Sequence, residues 1–265
     1  MAQLTVASDD IELAHHAAER LTQLIEQATA RNDSALVSLT GGTTPRRLYS
    51  TLADARQPWR DRIPWSRVQL FWGDERHVPP DHRDSNYGMA RAALIDHVPV
   101  PGDHVHRIRG EMPDAREAAA DYDRTLSTVV SGFSRTAAVA SAFRRKDSFF
   151  DVMLLGLGDD AHIASIFPGS DLLEPGETPA GRPLAGRRVA AVWAAHLNAW
   201  RITLTPDALL DSRAIVVLVA GANKAAAVHA ALKAPVDVMT YPAQLLRAAG
   251  DRVEWILDRA AASRL

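Results

Sequence analysis

The sequence predicts an α/β protein in which a mostly parallel β-sheet lies between two layers of helices. Four short runs of apolar and β-branched residues are separated by segments with helical spacing, and such runs are typical of buried parallel strands. The runs cover residues 34–40, 68–72, 151–157 and 214–220. This alternation of strands and helices favours a three-layer αβα arrangement with a Rossmann-like sheet and helices on both faces.

The helices are predicted from capping residues and from apolar residues three or four positions apart. The first begins after Asp9, which has capping-box spacing with Glu12. The second begins at Thr44, with proline in its first turn, and runs to Leu52. Further helices are predicted over residues 86–95, 113–130, 206–210 and 223–232, and short strands over residues 105–108, 189–193, 201–204 and 253–257.

Composition limits the classes of protein to which the chain can belong. With 265 residues, 47% of them hydrophobic, we expect residues 1–265 to form one large α/β domain. The formal net charge of -2 gives no sign of a nucleic-acid or membrane surface. The absence of cysteine excludes disulfides, thiolate catalysis and cysteine-ligated metals. No signal peptide is visible and no apolar run reaches the ~20 residues that cross a bilayer, so we expect a soluble cytoplasmic protein.

Residues 131–148 fit this scheme least well. They lack clear periodicity and carry Arg144, Arg145 and Lys146 together. We interpret the segment as a solvated insertion or a mobile loop. A role in steering phosphate is the alternative.

Polar residues follow the predicted strands, at the edge where open α/β sheets bind their ligands. Gly41, Gly42 and Thr43 form a strand–glycine–helix junction after the first run. Glycines let the backbone approach a ligand, and the free amides of a helix start attract anions. A tight turn that needs glycine explains the same residues equally well. Lys224 and Arg201 are candidate phosphate ligands, with a surface lysine and a salt-bridged arginine as the ordinary alternatives.

Two more charged groups are expected in the same crevice. Asp74, Glu75 and Arg76 follow the second run directly, and Arg76 is suited to hold an anion through two hydrogen bonds. His162 follows Asp160 by two residues after the third run. A carboxylate this close orients an imidazole and stabilises its protonated form, as general-base catalysis requires. Packing or capping is the alternative role of a single histidine.

Several familiar catalytic motifs are absent from the sequence. No histidine pair has HExxH spacing, so a zinc site is not indicated. No Gly-x-Ser-x-Gly elbow supports a serine hydrolase, and the first loop lacks the GxGxxG fingerprint and the Walker ending. The sequence therefore predicts one crevice lined by glycine amides, carboxylates, a histidine and cations.

Five segments of the chain resemble the 6-phosphogluconolactonases and occur in that family's order. They are SLTGGTTPRRLY, FWGDERHVPPDHRDSNYGMAR, LLGLGDDAHIASIFPGS, RITLT and GANKAAAV. They cover most of the chain between about residues 35 and 232, and the DERxVP…SN and GDxxHxASxFPG blocks are specific to the family. The resemblance implies a hydrolase of a carboxylic ester, 6-phospho-D-glucono-1,5-lactone, in the oxidative pentose phosphate pathway. It implies no metal and no organic cofactor.

The resemblance also implies roles for individual residues. His162 would be the general base that activates water, and Asp160 would orient it. The residues implied to bind the phosphosugar or to shape the crevice are Gly41, Gly42, Thr43, Asp74, Arg76, Asn86, Arg201 and Lys224. The expected partner is thus the phosphosugar lactone, with neither nucleic acid nor membrane, and the expected state is a monomer or small homo-oligomer.

One residue departs from the family pattern. The family has glycine between the aspartate and the histidine, and this chain has Ala161. If the turn requires a positive φ, alanine costs about 1 kcal/mol or more and shifts His162. The alternative is that the turn tolerates alanine.

Two other functions stay open. A glucosamine-6-phosphate deaminase/isomerase has the same architecture, but in that relative a glutamate follows the histidine by five residues, where this chain has Phe167. The deaminase/isomerase also has an Asp-Glu-Tyr block where this chain has Asp74, Glu75 and Arg76. Both differences favour the lactonase. The second alternative is a phosphosugar-binding protein without catalysis, which only Ala161 supports.

Overall fold

The main sheet of the protein is parallel and has six strands. The structure is a computed structural model that describes residues 2–136, 148–174 and 186–265. Its strands, in chain order, are β1 Gln3–Ala7, β2 Ala35–Leu39, β3 Val68–Trp72, β4 Asp74–Arg76, β5 Phe150–Leu155, β6 Val189–Ala194, β7 Ala199–Leu204, β8 Ser212–Val219 and β9 Val253–Asp258. The parallel sheet has the order β1-β9-β8-β5-β2-β3. This confirms the predicted fold class.

Helices cover both faces of this sheet, which explains why its central strands are mostly apolar and buried on both faces. The helices, in chain order, are α1 Asp10–Asn32, α2 Thr43–Ala53, α3 Trp59–Arg62, α4 Asn86–Ala93, α5 Ala115–Thr136, α6 Pro206–Leu210 and α7 Ala225–Leu232. Every residue of β2, β3 and β5 is buried. Asp9 caps α1 as predicted, because its side chain accepts hydrogen bonds from the amides of Ile11 and Glu12.

A second sheet, antiparallel and of order β4-β7-β6, was not predicted. The sequence predicts Asp74, Glu75 and Arg76 only as a polar cluster, because three charges carry no apolar strand signal. They form β4 because their backbone pairs with β7, which places Arg76 directly opposite Arg201. Since α5 packs against β6 and β7, this sheet joins the same apolar core as the main sheet.

Two further differences concern strands: one strand was missed and one was predicted wrongly. β1 was missed because it is a short edge strand whose Leu4 and Val6 are exposed, so it lacks the buried run of the central strands. The strand predicted over residues 105–108 is reduced to a single bridge between Val105 and Leu70.

The loop predicted over residues 131–148 was wrong for its first six residues. Helix α5 continues to Thr136, so residues 131–136 are helical. Residues 137–147, which include the basic triplet, lie outside the described residues. Within the described ranges, no helix combines the length and the apolar character that a membrane span requires.

Candidate active site

Side-chain hydrogen bonds join the loops that follow β3, β5 and β8. Asn86, at the start of α4, donates to the carbonyl of Asp74 at 2.9 Å. Ser165 donates to Oδ2 of Asp74 at 2.6 Å, and Asn223 donates to Asp159 at 3.1 Å. These contacts hold Asp74 and Asn86 beside the loop after β5, which carries Asp160 and His162, and join that loop to the turn that carries Lys224.

The junction after β2 is shaped by two glycines with different constraints. Gly42 lies at φ 107° and ψ 172°, a region that is essentially restricted to glycine. A Cβ added to Gly41 would lie 1.8 Å from Oδ1 of Asn86, so this backbone must pass close to that amide. No side chain in the described part of the molecule caps α2, so its first amides have no side-chain acceptor there. This arrangement suits an anion.

A buried carboxylate that the sequence analysis gave no role organises the other wall. Glu75 accepts hydrogen bonds from the amides of Arg76, Asn86 and Tyr87 at 2.7–2.8 Å and from the hydroxyl of Ser85 at 3.1 Å. Burial raises the pKa of Glu75, although the three amides oppose that shift. The carboxylate thus fixes the start of α4 and with it Asn86. Ser85 is the N-cap of α4, because its side chain accepts a hydrogen bond from the amide of Gly88.

The turn after β5 holds the predicted dyad. Nδ1 of His162 lies 2.6 Å from Oδ1 of Asp160, and the His162 amide donates to the same oxygen at 3.1 Å. An ionised carboxylate only accepts hydrogen bonds, so this contact assigns the imidazole proton to Nδ1 and leaves Nε2 as the basic nitrogen. Partial burial raises the pKa of Asp160, but the hydrogen bond and charge of His162 outweigh burial and lower it to about 2.

Ala161, between these two residues, adopts a positive φ of 64° and is buried. Its amide donates to the carbonyl of Gly158 at 3.0 Å, and its carbonyl accepts from the amide of Ala243 at 2.9 Å. The turn therefore has the strained conformation that the sequence analysis considered. The dyad hydrogen bond nevertheless forms, so alanine does not separate His162 from Asp160.

An aromatic side chain supports the imidazole. The ring centroid of Phe167 lies 4.6 Å from that of His162 and 4.8 Å from that of His196, which is on the β6–β7 hairpin. Phe167 cannot titrate, so the position five residues after the histidine packs against His162 and adds no acid or base.

Two of the three candidate cations are neighbours on adjacent strands of the small sheet. Arg76 and Arg201 are register partners on β4 and β7. Burial, followed by the charge of Arg76, lowers the pKa of Arg201. Neither guanidinium forms an ion pair with a described carboxylate: Arg76 donates to the carbonyl of Asp84 and Arg201 to that of Trp200. Like charges held opposite each other are destabilising, which is the arrangement expected of a site that awaits an anion.

The third cation is already paired. Lys224, in a 3₁₀ turn after β8, forms an ion pair with Asp159, which also accepts from Asn223. The hydrogen bond from Lys224 lowers the pKa of Asp159. The sequence analysis missed this partner, because nothing in residues 151–162 indicates contact with residue 224. In the described ranges, no group of three or more histidine and acidic side chains is placed to hold a metal ion.

The chain is similar to known proteins over nearly its full length. The family model described as "Glucosamine-6-phosphate isomerases/6-phosphogluconolactonase" matches residues 8–255. A 6-phosphogluconolactonase of Streptomyces coelicolor is 38% identical, over 99% of this chain and 94% of the relative. One of Synechocystis is 34% identical, over 92% of this chain and 90% of the relative. A solved 6-phosphogluconolactonase of Trypanosoma brucei superposes with a TM-score of 0.80 at 28% identity, covering 100% of this chain and 99% of that chain.

Proposed function

The chain belongs to the glucosamine-6-phosphate isomerase/6-phosphogluconolactonase family, and from this we propose that it hydrolyses 6-phospho-D-glucono-1,5-lactone to 6-phosphogluconate. This reaction is the second step of the oxidative pentose phosphate pathway, and the enzyme is a hydrolase of a carboxylic ester. The observation that carries the proposal is the hydrogen-bonded Asp160–His162 pair at the ligand edge of the sheet.

In the proposed mechanism, Nε2 of His162 removes a proton from a water molecule as that water attacks the lactone carbonyl. The imidazole becomes positively charged, and Asp160 stabilises that charge through Nδ1. When the tetrahedral intermediate collapses, the bond between the carbonyl carbon and the ring oxygen breaks, and the ring oxygen leaves as a hydroxyl that takes the proton from Nε2 of His162. A positioned general base contributes about 10²- to 10⁴-fold to the rate. A lactone is an activated ester, so attack by water with stabilisation of the carbonyl oxyanion is sufficient and no covalent nucleophile is needed.

The three candidate cations and the amides at the start of α2 bind the phosphosugar. Arg76 and Arg201 have no described acidic partner, so both are available to the dianionic phosphate. The amides at the start of α2 and Lys224 supply further donors. Asp74 and Asn86, both buried and hydrogen-bonded to each other, shape the wall between these groups.

The packing of Phe167 against His162 favours the lactonase over the deaminase/isomerase of the same family. Ring opening and proton transfer in an amino sugar use more titrating groups than lactone hydrolysis, and a phenyl ring supplies none. A binding protein without catalysis is less well supported, because the dyad keeps its hydrogen bond despite Ala161.

The test compares two reactions of the same protein. The lactone is generated in place from glucose 6-phosphate by its dehydrogenase, and acid release is followed above the spontaneous rate. Ammonia release from glucosamine 6-phosphate is assayed in parallel. We expect lactone turnover without ammonia. Ammonia release, or binding of 6-phosphogluconate without turnover of either substrate, would contradict the proposal.

We further propose that the chain is one domain, because a continuous apolar core extends from Ala7 to Ala261 and includes both sheets. A single cooperative unfolding transition is the expected result. The cytoplasmic location and the monomeric or small homo-oligomeric state stay predictions.

A further inference from the structure

Asp159 is an acidic residue of the site edge that the proposed mechanism does not use. It immediately precedes the base-orienting Asp160, and its Oδ1 accepts from both Lys224 and Asn223. Its side chain is 65% exposed, whereas that of Lys224 is 24% exposed. The lysine is therefore held largely against the protein, while its acidic partner stands in solvent.

The two partners of this pair differ in their freedom to move. Lys224 is the less exposed partner, and the Asn223 of its turn lies close to Gly221, where an added Cβ would be 2.8 Å from Oδ1. Asp159 has solvent to move into. An anion that reaches Lys224 therefore has to compete with this carboxylate for the ammonium.

Among the three cations, Lys224 alone has an acidic partner within the described residues; the two arginines donate to backbone carbonyls. A phosphate dianion therefore meets two available guanidinium groups and one ammonium that is already neutralised. The negative charge of Asp159 also repels a second anion at the same place.

We propose that Asp159 competes with the phosphate of the substrate for Lys224 and so lowers the affinity of the enzyme for its phosphosugar. This inference rests on the proposed function, in which Lys224 is a phosphate ligand. Asp159 acts through Lys224 and does not touch the reacting carbonyl. It is therefore a determinant of KM that also favours release of the phosphorylated product.

The size of the effect follows from the exposure of the pair. Exposed ion pairs contribute little, and breaking one changes an equilibrium by about two- to five-fold. We expect Asp159→Asn to lower KM for the lactone and Kd for 6-phosphogluconate by this factor, with a smaller change in kcat. The difference shrinks at high ionic strength, because salt screens exposed charges.

The matched control is Asp251→Asn, which removes the same charge from an exposed residue just before β9, at the opposite end of the sheet. We expect this control to leave KM and Kd unchanged. Thermal unfolding of both variants shows whether either change acts through stability. An equal shift in the two variants would mean that net charge, rather than Asp159, sets the affinity, and would overturn the inference.

A double-mutant cycle with Lys224→Met separates this inference from the proposed function. Lys224→Met alone should weaken 6-phosphogluconate binding, and in that background Asp159→Asn should have a smaller effect, because only the direct repulsion between Asp159 and the phosphate remains. An unchanged or raised Kd in Asp159→Asn would overturn the role of Asp159 while leaving Lys224 as a phosphate ligand. Unchanged binding in Lys224→Met would instead contradict the proposed function of the lysine.

Discussion

The turns that follow β2 and β5 both have positive φ angles, but they meet that requirement with different residues. After β2, Gly42 lies at φ 107° and ψ 172°, a backbone conformation that residues other than glycine essentially never adopt. After β5, Ala161 lies at φ 64°, which an L-residue reaches at a cost of about 1–2 kcal/mol. The neighbouring Gly41 is further restricted by its approach to Asn86.

The difference indicates what each turn has to do. In the proposed function the turn after β2 binds the substrate through its backbone amides, so its path matters and a side chain would disturb it. The turn after β5 presents the side chains of Asp160 and His162. Its backbone is held because the Ala161 amide donates to the Gly158 carbonyl and the Ala161 carbonyl accepts from the Ala243 amide. Those contacts allow alanine to remain where glycine would be less strained.

Removing the proposed general base, His162, should have the largest effect on activity. We expect His162→Ala to lower kcat by about 10²- to 10⁴-fold, because the water loses its proton acceptor, while binding of 6-phosphogluconate is retained. Lactone assays and calorimetry measure the two quantities. The control is His196→Ala, which removes the exposed histidine on the other side of Phe167 and should change kcat little. Near-wild-type turnover in His162→Ala would remove the residue from the base role.

The backbone path after β2 should be nearly as sensitive. In Gly41→Ala the new methyl group collides with Asn86, so the wall and the amides must shift by about 1 Å, and kcat/KM should fall by about 10²-fold. Gly102→Ala is the control, because an added Cβ there meets no atom within 4 Å. Wild-type kinetics in both variants would mean that the close approach of Gly41 to Asn86 has no role in substrate binding.

A substitution in the turn after β5 should instead be favourable and stabilise the protein. Ala161→Gly removes the strain at φ 64° and should raise the free energy of unfolding by about 1 kcal/mol, measured by urea denaturation. Ala120→Gly, on the exposed face of α5, should lower it by about 1 kcal/mol, because glycine destabilises a helix interior. If Ala161→Gly destabilises the protein as Ala120→Gly does, the turn is not strained.

The smallest effect concerns acid stability. The pKa of Asp160 is lowered from 3.8 to about 2 in the folded protein, so its contribution is complete above pH 3.8 and is lost as pH falls towards 2. Because Asp160 is partly exposed, we expect the contribution to be below about 1 kcal/mol. The difference in unfolding free energy between wild type and Asp160→Asn should shrink between pH 5 and pH 2.5. A constant difference would show that the carboxylate charge does not stabilise the fold.

The sequence predicted the parts of the molecule that have local signals. The buried strands β2, β3, β5 and β8 have apolar runs, and the Asp160–His162 pair is defined by residues two positions apart. β4 was missed because its residues are charged and it exists only through pairing with β7. The Asp159–Lys224 pair joins segments far apart in the chain, and the contacts of Glu75 with Ser85, Asn86 and Tyr87 bridge a loop, so periodicity reveals neither.

The most direct test measures lactone hydrolysis by the wild-type chain and by Ala161→Gly side by side, above the spontaneous rate. If the turn after β5 holds His162 and Asp160 in working geometry despite alanine, the wild type turns over and glycine changes kcat by no more than about three-fold, well under the ~10-fold that 1.4 kcal/mol represents. A wild-type rate equal to the spontaneous rate, with activity only in Ala161→Gly, would contradict the account.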